Sequence, residues 1–232
     1  MVLEQVARDG LVLLGCGKMG SALLEGWLKQ GVPPGAVWVI EPNPGDWLKA
    51  SGVHLNAGLP PAPAVALLAV KPQMMGDALP ALRALGNGST LFISIAAGTS
   101  IATFEAALGA RTPIVRSMPN TPAMVGRGIT AICANAHAGA DGLALARALM
   151  AAVGQVVELD GLSGPGGRRP SRGRQPVDGG VLEDESEFVG LVFDQRLRRD
   201  RSGGRYHFSL PISLNELTWC SRHRSRRLPH RY

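Results

Sequence analysis

Residues 11 to 20 read Leu11-Val12-Leu13-Leu14-Gly15-Cys16-Gly17-Lys18-Met19-Gly20. Four consecutive apolar residues suit a strand buried on both faces of a parallel sheet. Beyond the G-x-G-x-x-G the period changes. Met19, Ala22, Leu23, Gly26 and Trp27 fall at i, i+3, i+4, i+7 and i+8, which predicts an amphipathic helix from Lys18 to Gln30, stopped by Gly31 and Pro33-Pro34. In such a strand–turn–helix setting the first glycine permits a tight turn, the second lets a pyrophosphate approach the backbone, and the third lets helix pack on strand. The unpaired amides and dipole of the helix start favour an anion. The competing reading is a glycine turn that binds nothing, with Cys16 filling a variable slot.

The alternation continues outward from this unit. Strands are expected at Val37 to Glu41, Ala64 to Val70, Thr90 to Ile95, Ile114 to Ser117, Ile129 to Ala134 and Gln155 to Leu159. Helices are expected just before Gly52, from Gln73 to Leu85, from Ser100 to Leu108 with Ser100 as N-cap, and from Asp141 to Val153. Strands alternating with helices imply a doubly wound, mainly parallel α/β sheet of Rossmann-like type over residues 1–160. Glu41 stands 21 residues after Gly20 at the end of the second strand. An acidic side chain there accepts hydrogen bonds from an adenosine ribose, which leans towards NAD, and Asn43 is its neighbour at the same strand end. No Lys or Arg follows until Lys49, so a clamp for the 2′-phosphate of NADP is not evident. The bland alternative for Glu41 is a solvated strand end.

Charge divides the chain of 232 residues sharply. Residues 1–160 hold 10 Lys+Arg and 10 Asp+Glu, whereas residues 161–232 hold 14 and 8 and thus carry the whole net charge of +6. All 14 of those cations are Arg. The run Gly164-Pro165-Gly166-Gly167-Arg168-Arg169-Pro170 is turn-rich, no sustained apolar period follows it, and only short patches such as Phe188 to Phe193 and Phe208 to Ile212 suit isolated strands. Three widely spaced cysteines, Cys16, Cys133 and Cys220, suggest neither a disulfide framework nor a zinc site and fit a reducing, cytoplasmic setting. No apolar run is long enough to span a bilayer, and Glu4 and Asp9 stand where a signal peptide needs positive charge. His54 and His137 fall to surface or loop positions.

Three further segments, Leu68-Ala69-Val70-Lys71-Pro72, Ser94-Ile95-Ala96-Ala97-Gly98 and Val115-Arg116-Ser117-Met118-Pro119-Asn120-Thr121-Pro122, follow the glycine loop in order. From about Leu11 to Glu158 the ordered set resembles the N-terminal domain of pyrroline-5-carboxylate reductase. The resemblance implies hydride transfer from NADPH or NADH to the C=N carbon of 1-pyrroline-5-carboxylate, giving L-proline as the last step of proline biosynthesis. It implies that Gly15, Cys16, Gly17, Lys18, Met19 and Gly20 hold the pyrophosphate. Ala69, Val70, Lys71 and Pro72 would line the nicotinamide-ribose side, with Ala96 and Ala97 forming another close-approach loop. Asn120 would orient nicotinamide or substrate, or else make only an Asx turn before Pro122. Pro72 is expected to end its strand, and Lys71 is either a ligand-edge cation or an exposed turn residue.

In that family an all-helical domain follows, makes the dimer and holds the substrate carboxylate. Here Gly167-Arg168-Arg169-Pro170 takes the place of its first helix. Residues 161–232 are therefore expected to be a disordered or frame-shifted tail, with homo-oligomer formation and activity reduced accordingly. Two other readings stand beside this one. A hydroxy-acid dehydrogenase resembling 3-hydroxyisobutyrate dehydrogenase is opposed by the absence of any Lys after Lys71. An Arg-rich tail binding nucleic acid would rest on Arg198-Arg199-Asp200-Arg201 and on Arg222 to Arg227, and a solvated segment is preferred to it.

Overall fold

Leu11–Leu14 forms β1, with every residue buried. It lies inside an eight-stranded sheet of order β3-β2-β1-β4-β5-β6-β7-β8. The computed structural model describes residues 2–159; the expectations for residues 161–232, including the two phenylalanine patches and the arginine runs, lie outside the described residues. The other strands are β2 (Val37–Ile40), β3 (His54–Leu55), β4 (Val65–Leu68), β5 (Leu91–Ser94), β6 (Ile114–Pro119), β7 (Gly128–Ala134) and β8 (Gly154–Glu158). β1 pairs in parallel with both β2 and β4, and β5 and β6 continue the parallel set. This is the doubly wound, mainly parallel sheet that the alternation predicts.

Two layers of helix cover the sheet because its strands are apolar on both faces. Leu11 and Leu13 point into one core with Leu23, Leu24 and Trp27 of α2 (Lys18–Lys29) and Leu145, Leu149 and Met150 of α6 (Gly139–Met150). Val12 and Leu14 point into the other, with Met75 of α4 (Met75–Ala78) and Phe104 and Leu108 of α5 (Ile101–Leu108). Trp27 is wholly buried and donates its indole N–H to Leu149 O at 2.9 Å, fastening α2 to α6.

Several elements depart from the sequence reading. The predicted helix from Gln73 to Leu85 is α only over Met75–Ala78, flanked by 3-10 turns at Pro72–Met74 and Leu79–Leu85. Pro80 explains this, since it has no amide hydrogen to continue an α ladder. The helix ending at Val153 stops at Met150 and closes in a 3-10 turn, Ala151–Val153. An N-terminal helix, α1 (Val2–Asp9), was not anticipated, nor was the two-residue β3; α3 (Asp46–Ala50) is the short helix expected before Gly52. β7 runs antiparallel to β6. Ser100 caps α5 as predicted, its hydroxyl accepting from Thr103 N at 3.2 Å.

Candidate functional site

The parallel arrangement brings the carboxyl ends of β1, β2, β4, β5 and β6 to one edge of the sheet. The order in which strands are added reverses between β1 and β4, because β2 and β3 lie on one side of β1 while β4 to β6 lie on the other. Open α/β sheets bind ligands in the crevice at such a switch point. Gly15 follows β1 and Ala69 follows β4, so the glycine loop and the Ala69 to Pro72 segment meet there.

The three glycines have three different environments. Gly15 has φ +87°, and a Cβ on it would lie 2.8 Å from Val70 Cγ1 and 3.0 Å from Ala69 O. At Gly20 a Cβ would lie 2.6 Å from Gly15 O. At Gly17, in contrast, a Cβ would meet nothing within 4 Å. Turn and packing thus require the first and third glycines, whereas the second borders open space. Gly17 is also the N-cap of α2, and no side chain caps that helix. The amides of its first turn therefore face this space without an intrahelical partner. A cradle that a side chain would fill, lined by unused amides, fits a dinucleotide pyrophosphate.

Glu41 takes a role that neither reading of the sequence included. Its half-buried carboxylate accepts from Cys16 N at 2.8 Å and from Asn43 N at 3.0 Å, so it braces the glycine loop against the end of β2. The Cys16 amide is thereby committed to Glu41, and the Cys16 carbonyl accepts from Ser21 Oγ at 2.9 Å. Asn56 in turn holds the Glu41 backbone, accepting from Glu41 N at 3.0 Å and donating to Glu41 O at 2.9 Å. Asn56 has φ +52°, a left-handed conformation that asparagine tolerates. Ser21 and Asn56 were missed in the sequence, although the Asn56-Ala57-Gly58 turn carried a signal of sharp backbone reversal. Replacing Glu41 by Gln leaves one oxygen for two amides. The Cys16 amide of Glu41→Gln is expected to exchange its hydrogen at least tenfold faster than wild type, read by mass spectrometry, because a charge-assisted bond is lost.

The remaining candidates occupy the same edge. β4 ends at Leu68, before Pro72, which instead starts a 3-10 turn. Lys71 is extended and exposed, and like exposed Lys18 it makes no ion pair among the described residues. Met19 is half-buried behind the loop. Ala96 N donates to Ser94 Oγ at 3.2 Å, which folds the loop carrying Ala96 and Ala97 back over β5. Asn120 uses its side-chain oxygen within the fold, accepting from Ile129 N at 2.8 Å. Its Nδ2 has no partner among the described residues. His54 lies on exposed β3, stacked on Trp38 with ring centroids 4.5 Å apart, and His137 is exposed. Among the described residues no group of His, Cys, Asp and Glu suits a metal ion, and no helix is long and apolar enough to cross a membrane.

Cys16 and Cys133 are unsuited to nucleophilic work. Burial raises the thiol pKa of Cys16, against the opposing hydrogen bond from Ser21. Burial pushes Cys133 up to about 11, against the lowering influence of Arg116. The unfolded chain releases the Cys133 proton near its ordinary value of 9.0 while the folded chain keeps it to about 11. Raising the pH through this interval therefore favours unfolding, by about 2 kcal/mol at its upper end. Urea midpoints measured between pH 8 and 11 are expected to fall, and to fall less in Cys133→Ala.

Residues 11–98 match the family described as NADP oxidoreductase, coenzyme F420-dependent. The pyrroline-5-carboxylate reductase of Vibrio alginolyticus is 31% identical over 197 residues, covering 82% of this chain and 72% of that protein. The chain belongs to the pyrroline-5-carboxylate reductase family. The reductases of Pseudomonas aeruginosa and Escherichia coli are 36% identical over 156 residues (65% of this chain) and 37% identical over 133 residues (53%). The chain spans 57% and 48% of their lengths, about half of these curated relatives. Among solved structures, the reductase of Coxiella burnetii shares the fold, with TM-score 0.61, 24% identity and coverage of 85% of this chain and 72% of that one. The Plasmodium falciparum reductase, solved with NADP bound, has TM-score 0.56, 25% identity and coverage of 66% and 58%.

Proposed function

We propose that residues 1–160 form a dinucleotide-binding domain for NADPH or NADH and serve the family's reaction, reduction of 1-pyrroline-5-carboxylate to L-proline. The observation that carries this reading is the open cradle at Gly17 beside the switch point of the sheet, with unused α2 amides facing it. The nicotinamide, when bound, supplies the hydride. The protein's own residues hold and orient. The first-turn amides of α2 take the pyrophosphate, with Lys18 and Lys71 as nearby cations. Glu41 fixes the loop through Cys16 N, and each of its oxygens retains a lone pair for a ribose hydroxyl. Ala69 to Pro72 and Ala96–Ala97 provide small, close-approach surfaces on the nicotinamide side. Asn120 Nδ2 is the orienting group that remains once its oxygen is used by β7.

A protonated imine is already a strong electrophile, so the reaction asks for little acid–base machinery. That agrees with a carboxyl edge at which Glu41 is the acidic side chain in place. In sequence, residues 161–232 lack the apolar period of the helical domain that holds the substrate carboxylate in the family, and we propose that the activity of this chain is reduced accordingly. The test titrates NADPH and NADH into the purified 232-residue chain by fluorescence. It then follows NAD(P)H oxidation with 1-pyrroline-5-carboxylate, beside a version carrying a helical family domain after residue 160. Dinucleotide binding by both, with proline formation only by the second, is the expected result. No binding of either dinucleotide overturns the domain's role, and proline formation at equal rates overturns the statement about residues 161–232.

A further inference from the structure

The turn after β2 is where a sheet of this type meets the 2′ position of a bound adenosine, one step from the pyrophosphate at the glycine loop. We propose that this turn makes the chain select NADH over NADPH, with Glu41 as the residue that decides. The inference rests on the dinucleotide-binding reading above and adds which dinucleotide is taken.

The two cofactors differ there by one group. NADH carries a 2′-hydroxyl, and NADPH a phosphate of about two negative charges. Such a phosphate needs cations or free N–H donors, and residues 42–48 contain neither Lys nor Arg. Donors are scarce as well. Pro42 and Pro44 have no amide hydrogen, and Asn43 N donates to Glu41 Oε1 at 3.0 Å. No hydroxyl side chain occurs from 41 to 50. Lys49 does follow, but its Nζ lies 3.2 Å from Asp46 Oδ1, and Asp46 opens α3 with an exposed carboxylate. A 2′-phosphate would therefore enter a turn that holds two carboxylates, Glu41 and Asp46, and one cation that is already paired.

Glu41 is held against swinging aside. Its Oε2 accepts from Cys16 N at 2.8 Å and its Oε1 from Asn43 N, so another rotamer strands both amides. Its backbone is fixed too, because Asn56 accepts from Glu41 N and donates to Glu41 O. A carboxylate held in this way accepts from a 2′-hydroxyl without rearranging. A phosphate in the same place brings like charge to a half-buried carboxylate that has nowhere to go.

The test titrates NADH and NADPH into the full 232-residue chain by fluorescence at one ionic strength, and its readout is the ratio of the two Kd values. Wild type is expected to bind NADH at least about thirtyfold tighter. Glu41→Gln keeps the shape of the side chain and loosens the glycine loop for both cofactors alike, so a Glu41 that only braced the loop would leave the ratio unchanged. Removal of the repelling charge instead brings the ratio down to about fivefold or less. Asn43→Arg leaves the main-chain N–H of residue 43 on Glu41 and supplies a guanidinium, tightening NADPH about tenfold with NADH unchanged. Equal Kd values in wild type, or a ratio that Glu41→Gln does not move, overturns selection by Glu41 and leaves the dinucleotide domain standing. Binding of neither cofactor overturns that domain and this inference with it.

Discussion

Gly17→Val is expected to abolish dinucleotide binding, raising the Kd for NADPH or NADH at least a hundredfold, while the protein remains folded. The backbone at Gly17, φ −69° and ψ −163°, is extended and open to any residue, and a Cβ there meets nothing within 4 Å. Folding therefore loses about 1 kcal/mol at most, the difference between glycine and a poor N-cap residue. The valine side chain instead fills the space that the pyrophosphate needs. Charge-assisted hydrogen bonds from backbone amides to an anion contribute about 1.5–3 kcal/mol each, and losing two of them is at least a hundredfold. Gly20→Val would not make the same point. Its Cβ would lie 2.6 Å from Gly15 O, so the strand–helix junction itself would shift. Dinucleotide titration paired with thermal melting separates the cases, and wild-type affinity in Gly17→Val would mean that the cradle is not the binding site.

This contrast among the three glycines also shows what a sequence can and cannot convey. Spacing alone places a turn at Gly15 and a packing contact at Gly20, and the structure has both there, because backbone sterics act within a few residues. Strand direction was legible in principle as well. Eight residues separate Pro119 from Gly128, too few for the crossover of a dozen or more residues that a parallel pair requires, which accounts for the antiparallel β7. The asparagines were not legible. Asn56, Asn87 and Asn135 satisfy backbone groups in chain segments 15 to 24 residues distant. Apolar period carries no information about which loop a side-chain amide will meet. The same holds for Glu41, whose partner at Cys16 is 25 residues away.

Asn135 provides the second large effect. It is 8% exposed and all its hydrogen-bonding capacity is used: Oδ1 accepts from Ile114 N at 3.0 Å and Ala138 N at 3.1 Å, and Nδ2 donates to Thr112 O and Glu105 Oε1, both at 2.9 Å. Asn135→Leu strands Ile114 N and Thr112 O in a buried place, Ala138 N keeping the Asn135 main-chain carbonyl, and at about 1–3 kcal/mol for each the loss is roughly 2–6 kcal/mol. That is a large part of the 5–15 kcal/mol typical of a domain, so urea denaturation should show a strongly lowered midpoint. Asn135→Asp keeps both accepted bonds but turns a charge towards Thr112 O and Glu105. Its folded-state pKa is then raised, so the folded form holds a proton that the unfolded form releases. The deficit of Asn135→Asp relative to wild type therefore grows as pH rises through the carboxylate range and shrinks in acid. A loss below about 1 kcal/mol in Asn135→Leu would show that water replaces the amide. Because β7 runs antiparallel to β6, Asn135 sits beside Ile114 at the start of β6, the edge of the sheet away from Gly15. Whatever fraction of Asn135→Leu remains folded should therefore bind dinucleotide with wild-type affinity, the inverse of Gly17→Val.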